Sequence, residues 1–279
     1  MTTNLSVFLY RFFPKSAIST LGGIRLLKPL RNLILKDAAG STRTVHGNVH
    51  YRLEEGVEID YVFHAPAKML VKAQEKGIEN IITRNVYRHC KQQPNGILLD
   101  IGANFGALSL TWATSMPQHS IHSFEVHPRI FKALEDSKRS NGLTNFHPRN
   151  QAVSDAARTL TFSLETKTAQ LNGNHPGSTE HRVEAVTIDA TYANSEVPVL
   201  AMKVDTDGSD FEVLRGASEV LKKFMPYLAV ETNEDIRILE ELWSHGYRIV
   251  DMRGETVEPG SRIDIRDERY CNVFGYPPL

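Results

Sequence analysis

The sequence predicts an α/β fold in which a mostly parallel sheet carries helices on both faces. Short apolar runs recur at residues 97–99, 120–124, 199–204 and 227–230, each of strand length, as strands buried on both faces require. Between them lie longer stretches with apolar residues at helical spacing, and such alternation builds a doubly wound sheet. Each of these strands runs into an acid: Asp100, Glu125, Asp205 and Glu231. Ligands of open α/β sheets bind outside that strand edge.

In order, residues 1–42 read as a basic arm, 43–95 as a hairpin and helix before the core, and 96–279 as the main domain. The first 36 residues carry Arg11, Lys15, Arg25, Lys28, Arg31 and Lys36, with no acid before Asp37. Over residues 24–34, Leu26, Leu27, Leu30, Leu33 and Ile34 share one helical face, and Pro29 marks a helix start or kink. Two readings compete. The arm packs its leucines on the main domain, the preferred reading, or residues 24–36 make a peripheral contact with an anionic membrane.

Val45, Val49, Tyr51, Leu53, Val57, Ile59, Tyr61 and Phe63 alternate around Glu54-Glu55-Gly56, which predicts a hairpin. Residues 66–92 read as one helical stretch stopped by Pro94-Asn95-Gly96. His46, His50, His64 and His89 lack metal-ligand spacing and read as structural. The core then runs through helices at 108–114, 128–140, 211–224 and 236–243. Further strands are expected at 145–153, 159–164, 182–188, 247–251 and 270–274, with a polar loop at 167–180.

The centre of the chain is Ile-Leu-Leu-Asp-Ile-Gly-Ala-Asn-Phe-Gly, residues 97–106: a buried strand, a carboxylate, a glycine turn and a helix start. Gly102, Asn104 and Gly106 place turn-forming residues at every second position, unlike the G-x-G-x-x-G of dinucleotide binders. Glycine there allows close backbone approach, so that backbone amides and a helix N-terminus can reach a ligand. A carboxylate at this mouth opposes a pyrophosphate and favours the ammonium and sulfonium of S-adenosyl-L-methionine. Glu125 follows Asp100 at roughly the 20-residue interval of a ribose-binding acid.

Asp-Ile-Gly-Ala-Asn-Phe-Gly, Phe-Glu-Val-His-Pro at 124–128, Ala-Val-Ser-Asp at 152–155 and Lys-Val-Asp-Thr-Asp-Gly at 203–208 together resemble the FkbM-type methyltransferases. The resemblance runs from about residue 80 to the C-terminus. It implies the Rossmann-like class I methyltransferase fold, a seven-stranded sheet with a final antiparallel pair, and places Gln151 and Ala152 near the adenine. It also implies an acceptor hydroxyl on a sugar, glycolipid or secondary metabolite. Asp207 stands where many relatives have glutamate.

Methyl transfer to a hydroxyl needs an aligned acceptor and a base, and Asp205 and Asp207 are the candidates. Asp205 acts as base or cofactor-side orienter while Asp207 holds the loop, or the two hold a divalent ion with Glu231 as third ligand. Alternation across the short turn points Asp205 and Asp207 differently. The preferred assignment has no metal, and His127 and Lys203 are weaker candidates.

A formal net charge of -1 provides no global field for nucleic acid, so the expected partner is a small-molecule, glycan or lipid-linked acceptor. Cys90 and Cys271 form neither a zinc motif nor a disulfide framework, and a reducing cytoplasm is the simplest compartment. No apolar run reaches the roughly 18 residues of a membrane span, and no cleavable signal is evident. The alternatives are a nicotinamide (NAD) oxidoreductase and a non-catalytic S-adenosylmethionine-binding protein. The acceptor's identity and the oligomeric state are not written in the sequence.

Overall fold

The computed structural model describes residues 43–163, 180–261 and 263–278, with Val7, Phe8 and Arg11. The amphipathic segment 24–36 and, apart from Glu180, the polar loop 167–180 lie outside the described residues.

A hairpin comes first. β1 (Thr44–Glu54) and β2 (Val57–Pro66) pair antiparallel, turning at Gly56 with φ 75°. Alternation buries Val45, Val49, Tyr51 and Leu53 of β1 and Ile59, Tyr61 and Phe63 of β2. The helical stretch after it is two helices rather than one, α1 (Ala67–Lys76) and α2 (Asn80–Cys90). Gly77 (φ 72°) ends the first and Glu79 (φ 48°) begins the second, both left-handed. Apolar residues keep their helical spacing past this corner, which hides it from periodicity.

The main sheet follows. Its first half comprises β3 (Ile97–Ile101), α3 (Ala107–Ser115), β4 (Ser120–Phe124), α4 (Pro128–Ser140) and β5 (Phe146–Arg149). Next come β6 (Ala152–Val153), β7 (Arg158–Ser163), β8 (Glu180–Val186) and α5 (Ile188–Tyr192). The second half comprises β9 (Val199–Val204), α6 (Asp210–Arg215), α7 (Ser218–Phe224), β10 (Tyr227–Glu231) and α8 (Ile236–Ser244). β11 (Arg248–Val250), β12 (Thr256–Val257) and β13 (Asn272–Tyr276) finish it.

The strand order is β12-β11-β13-β10-β9-β3-β4-β5, with β10, β9, β3, β4 and β5 parallel and β13 antiparallel between β10 and β11. This is a Rossmann-like sheet. It has eight strands instead of the expected seven because the two-residue β12 adds to β11 at the edge.

Three further expectations are corrected. The strand at 145–153 divides: β5 stays beside β4, while β6 leaves to join the three-stranded sheet β6-β8-β7. Asn150 makes the break, its side-chain amide donating to the carbonyls of Glu125 (2.7 Å) and Val126 (3.0 Å). The helix at 211–224 divides at Gly216, where a Cβ would lie 2.1 Å from the Ser154 carbonyl oxygen. Ile188 heads α5 instead of ending a strand.

α3 is buried almost all round, because the sheet covers one side and the hairpin and α2 the other. Trp112 donates its indole N–H to the Thr83 carbonyl of α2 (3.2 Å). α4 pairs the free edge of β2: Val62 N–H donates to Asn141 Oδ1 (2.7 Å) and His64 N–H to Ser137 Oγ (3.1 Å). An edge strand is thereby covered. His46 stacks on His64 and His89 on Tyr227. Cys90 is buried, Cys271 exposed, and both are free. Among the described residues no helix is long and apolar enough to cross a membrane.

Candidate cofactor pocket and active site

The carboxyl ends of β3, β4 and β9 open on one cavity of about 260 Å³. Asp100, Gly102, Asn104, Gly106, Glu125, Gln151, Ala152, Asp205 and Asp207 all line it. Glu231 does not line it, but stands beside Asp205 and Asp207: one carboxylate oxygen from each lies within 4.8 Å of the others.

The turn at the strand end is left-handed at Gly102 (φ 75°), Asn104 (φ 51°) and Gly106 (φ 79°). Its glycines make room for protein rather than for ligand. A Cβ on Gly102 would lie 1.7 Å from the Asp205 carbonyl oxygen, and one on Gly106 2.2 Å from Leu134 Cδ2. Its amides, expected to face a ligand, are already committed. Gly102 N–H and Ala103 N–H both donate to the Phe124 carbonyl (3.0 Å each), and Gly106 N–H donates to the Ala103 carbonyl (2.9 Å). Asn104 N–H donates to Glu125 Oε2 (3.0 Å) and Phe105 N–H to Asn104 Oδ1 (2.9 Å).

Asp100 is 1% exposed; Ser109 Oγ donates to its Oδ2, and Lys203 Nζ lies 3.5 Å from its Oδ1. The same ammonium donates to the Gly102 carbonyl (2.9 Å) and lies 3.2 Å from Asp205 Oδ2. Burial works against the Lys203 charge, but Asp205, Asp100 and Glu79 outweigh it and hold its ammonium above the usual lysine range. Lys203 is thus an ion-pair partner of Asp100 and Asp205.

Glu125 braces the turn from the other side, its Oε1 accepting from His127 N–H (2.7 Å) as its Oε2 does from Asn104. Burial pushes its carboxyl up to about 7 despite those donors. His127 caps α4, its Nδ1 accepting from Arg129 N–H (3.2 Å), and it does not line the cavity.

Asp205 and Asp207 face the same cavity, against the expectation from alternation, because Asp207 is left-handed (φ 55°) and folds the chain back. Holding the loop falls to Asp210 instead of Asp207. Its carboxylate accepts from Thr206 N–H (2.8 Å) and Gly208 N–H (3.2 Å). Burial, then Asp205 and Asp210, raise the Asp207 carboxyl, and burial with Asp205 pushes Glu231 up to about 7.

Sequence reasoning missed Met69, Ile78 and Glu79, which complete the pocket wall from α1 and the α1–α2 corner. Gly77 was the available signal of a turn there; nothing local indicated that it reaches the sheet edge.

The Methyltransferase FkbM domain model matches residues 100–249, more than half of the chain. Among curated proteins none matches this sequence. The solved structure of a methyltransferase FkbM from Methylobacillus flagellatus KT is similar at 15% identity and a TM-score of 0.44 over 65% of this chain and 44% of that one. This chain therefore spans less than half the length of that protein. A precorrin-6y C5,15-methyltransferase from Geobacter metallireducens GS-15 is similar at 12% identity and a TM-score of 0.42, over 73% and 92% of the two chains. Fibrillarin from Aeropyrum pernix, solved with natively bound S-adenosyl-L-methionine, is similar at 14% identity and a TM-score of 0.38 over 66% of each chain. On the extent of the domain match, the chain belongs to the FkbM methyltransferase family.

Proposed function

We propose that the protein transfers a methyl group from S-adenosyl-L-methionine to a hydroxyl of a sugar, glycolipid or secondary metabolite. The charge balance of the cavity carries the cofactor reading. Glu79, Asp100, Glu125, Asp205 and Asp207 face one ammonium, Lys203, which is already shared among carboxylates. No backbone N–H from 102 to 106 is free for a pyrophosphate. These residues fit a ligand with a sulfonium and an ammonium, and they disfavour the nicotinamide alternative.

In this reading Glu125 accepts from the ribose hydroxyls, and Gln151 and Ala152 border the adenine. The bound cofactor supplies an electrophilic methyl group. Glu125→Ala is expected to weaken S-adenosylmethionine binding by a few kcal/mol without unfolding the chain, since hydrogen bonds to charged groups contribute about 1.5–3 kcal/mol each. Because the Glu125 carboxyl sits at about 7, wild-type affinity should rise as pH increases through that value and the acid ionises. Titration calorimetry at several pH values checks both effects. An affinity and slope untouched by the substitution would reduce Glu125 to a brace for the turn.

Asp207 is the better base of the pair. Asp205 is paired with Lys203, whereas Asp207 makes no ion pair among the described residues and has its proton affinity raised by partial desolvation at the cavity wall and by Asp205 and Asp210, against the opposing pull of Lys203. Asp205 then orients the site between Lys203 and Glu231. Asp207→Asn should lower turnover at least about a hundredfold while leaving cofactor affinity within about tenfold. The assay uses whichever member of a panel of sugars, glycolipids and metabolites the wild type methylates. Tighter dependence of binding than of turnover on Asp207 would reject the base assignment.

The convergence of Asp205, Asp207 and Glu231 supports a second reading, a divalent ion that activates the hydroxyl. Chelation followed by magnesium distinguishes the two. Activity lost and then restored would move these carboxylates from proton transfer to metal binding.

A further inference from the structure

Glu79 is a carboxylate at this pocket without a stated task. It sits at the start of α2, and its side chain makes no cap hydrogen bond. It is exposed, it lines the cavity, and it makes no ion pair or hydrogen bond with another described side chain. Its backbone is left-handed at φ 48°, a conformation costly for a residue with a long side chain. Of the non-glycine residues with positive φ, Glu79, Asn104 and Asp207 line the cavity. Strain of this kind collects at functional sites.

Of the other four acids in the cavity, three are engaged, and the fourth, Asp207, is assigned above to the acceptor. Asp100 is buried between Ser109 and Lys203, Glu125 holds two backbone N–H groups, and Asp205 is paired with Lys203. If Glu125 takes the ribose at the end of β4 and Gln151 and Ala152 the adenine beyond β5, the cofactor's amino-acid end extends the opposite way, over β3 and β9. The α1–α2 corner lines that side of the cavity, and the charges that act on Glu79 are those of Lys203, Asp205, Asp100 and Lys72.

We infer that Glu79 binds the α-ammonium of S-adenosylmethionine, so that the segment before the matched domain completes the cofactor site. The assignment rests on the cofactor reading above. Three ligands separate its parts. S-adenosylhomocysteine keeps the ammonium and lacks the sulfonium charge; 5′-methylthioadenosine lacks both.

Calorimetric titration of the full chain with all three, for wild type, Glu79→Gln and Glu79→Gly, tests it. Both variants should bind S-adenosylmethionine and S-adenosylhomocysteine about ten- to a hundredfold more weakly, the range of one charge-assisted contact, and 5′-methylthioadenosine within about twofold. Glu79→Gly, relieved of its left-handed strain, should melt at or above the wild-type temperature. Unchanged affinities, or an equal loss for all three ligands, would overturn the assignment while leaving the cofactor reading intact. A loss for S-adenosylmethionine alone would also overturn it, moving Glu79 to the sulfonium. A wild type that binds none of the three would bring down the cofactor reading, and this assignment with it.

Discussion

Gly102→Ala is expected to lower stability by at least about 3 kcal/mol and to abolish measurable cofactor binding. Two penalties combine. An alanine at φ 75° costs roughly 1–2 kcal/mol, and its Cβ would also lie 1.7 Å from the Asp205 carbonyl oxygen, an overlap only backbone movement can relieve. That movement pushes the turn away from β9, where Asp205 and Lys203 hold the pocket together. Gly56→Ala isolates the first penalty, because Gly56 has the same φ and nothing within 4 Å of its would-be Cβ. Thermal melting of the two variants, each with and without S-adenosylmethionine, makes the comparison. Should Gly102→Ala melt no lower than Gly56→Ala, the contact with Asp205 is not tight in solution.

Lys203→Met should cost about 3–5 kcal/mol, the usual effect of removing one partner from a buried ion pair. Lys203 is 3% exposed and Asp100 1%, so water cannot replace the ammonium without opening the sheet. Two to four degrees per kcal/mol is typical of a domain this size, which puts the expected fall in melting temperature on the order of 10 °C. Adding Asp100→Asn to the variant removes the stranded charge and should recover part of the loss. A double variant as unstable as the single one would assign the cost to lost packing instead.

The acids at the strand ends were legible because strand length and the rule for sheet edges locate them with no knowledge of neighbours. Asp100, Glu125 and Asp205 follow directly from apolar runs that stop. What those acids do with their oxygens was not legible. The amides of the turn are taken by Phe124 and Glu125, which arrive from another strand, so the ligand-facing amides expected from the glycine pattern do not exist. Holding the loop passed from Asp207 to Asp210, which sequence reasoning had not singled out, for a similar reason. Both sit in a short acidic run, and only the left-handed twist at Asp207 decides which faces the cavity and which holds the loop. Glu79 was hidden because the helical pattern continues past its corner. The division of 145–153 depended on Asn150 reaching back to β4, a contact outside any local window.

The hydrogen bond from Lys203 to the Gly102 carbonyl joins residues 101 positions apart. On a ribosome adding about 5–20 residues per second, Asp100 is made roughly 5–20 s before its counter-ion exists. Through that interval a carboxylate destined for the interior has to stay in water, so β3 cannot take its place inside the sheet. The hairpin of β1 and β2, whose contacts are local, is under no such delay. β3 is therefore early in synthesis and late in burial. Its apolar residues, with those of α3, wait for their final cover until β9 emerges.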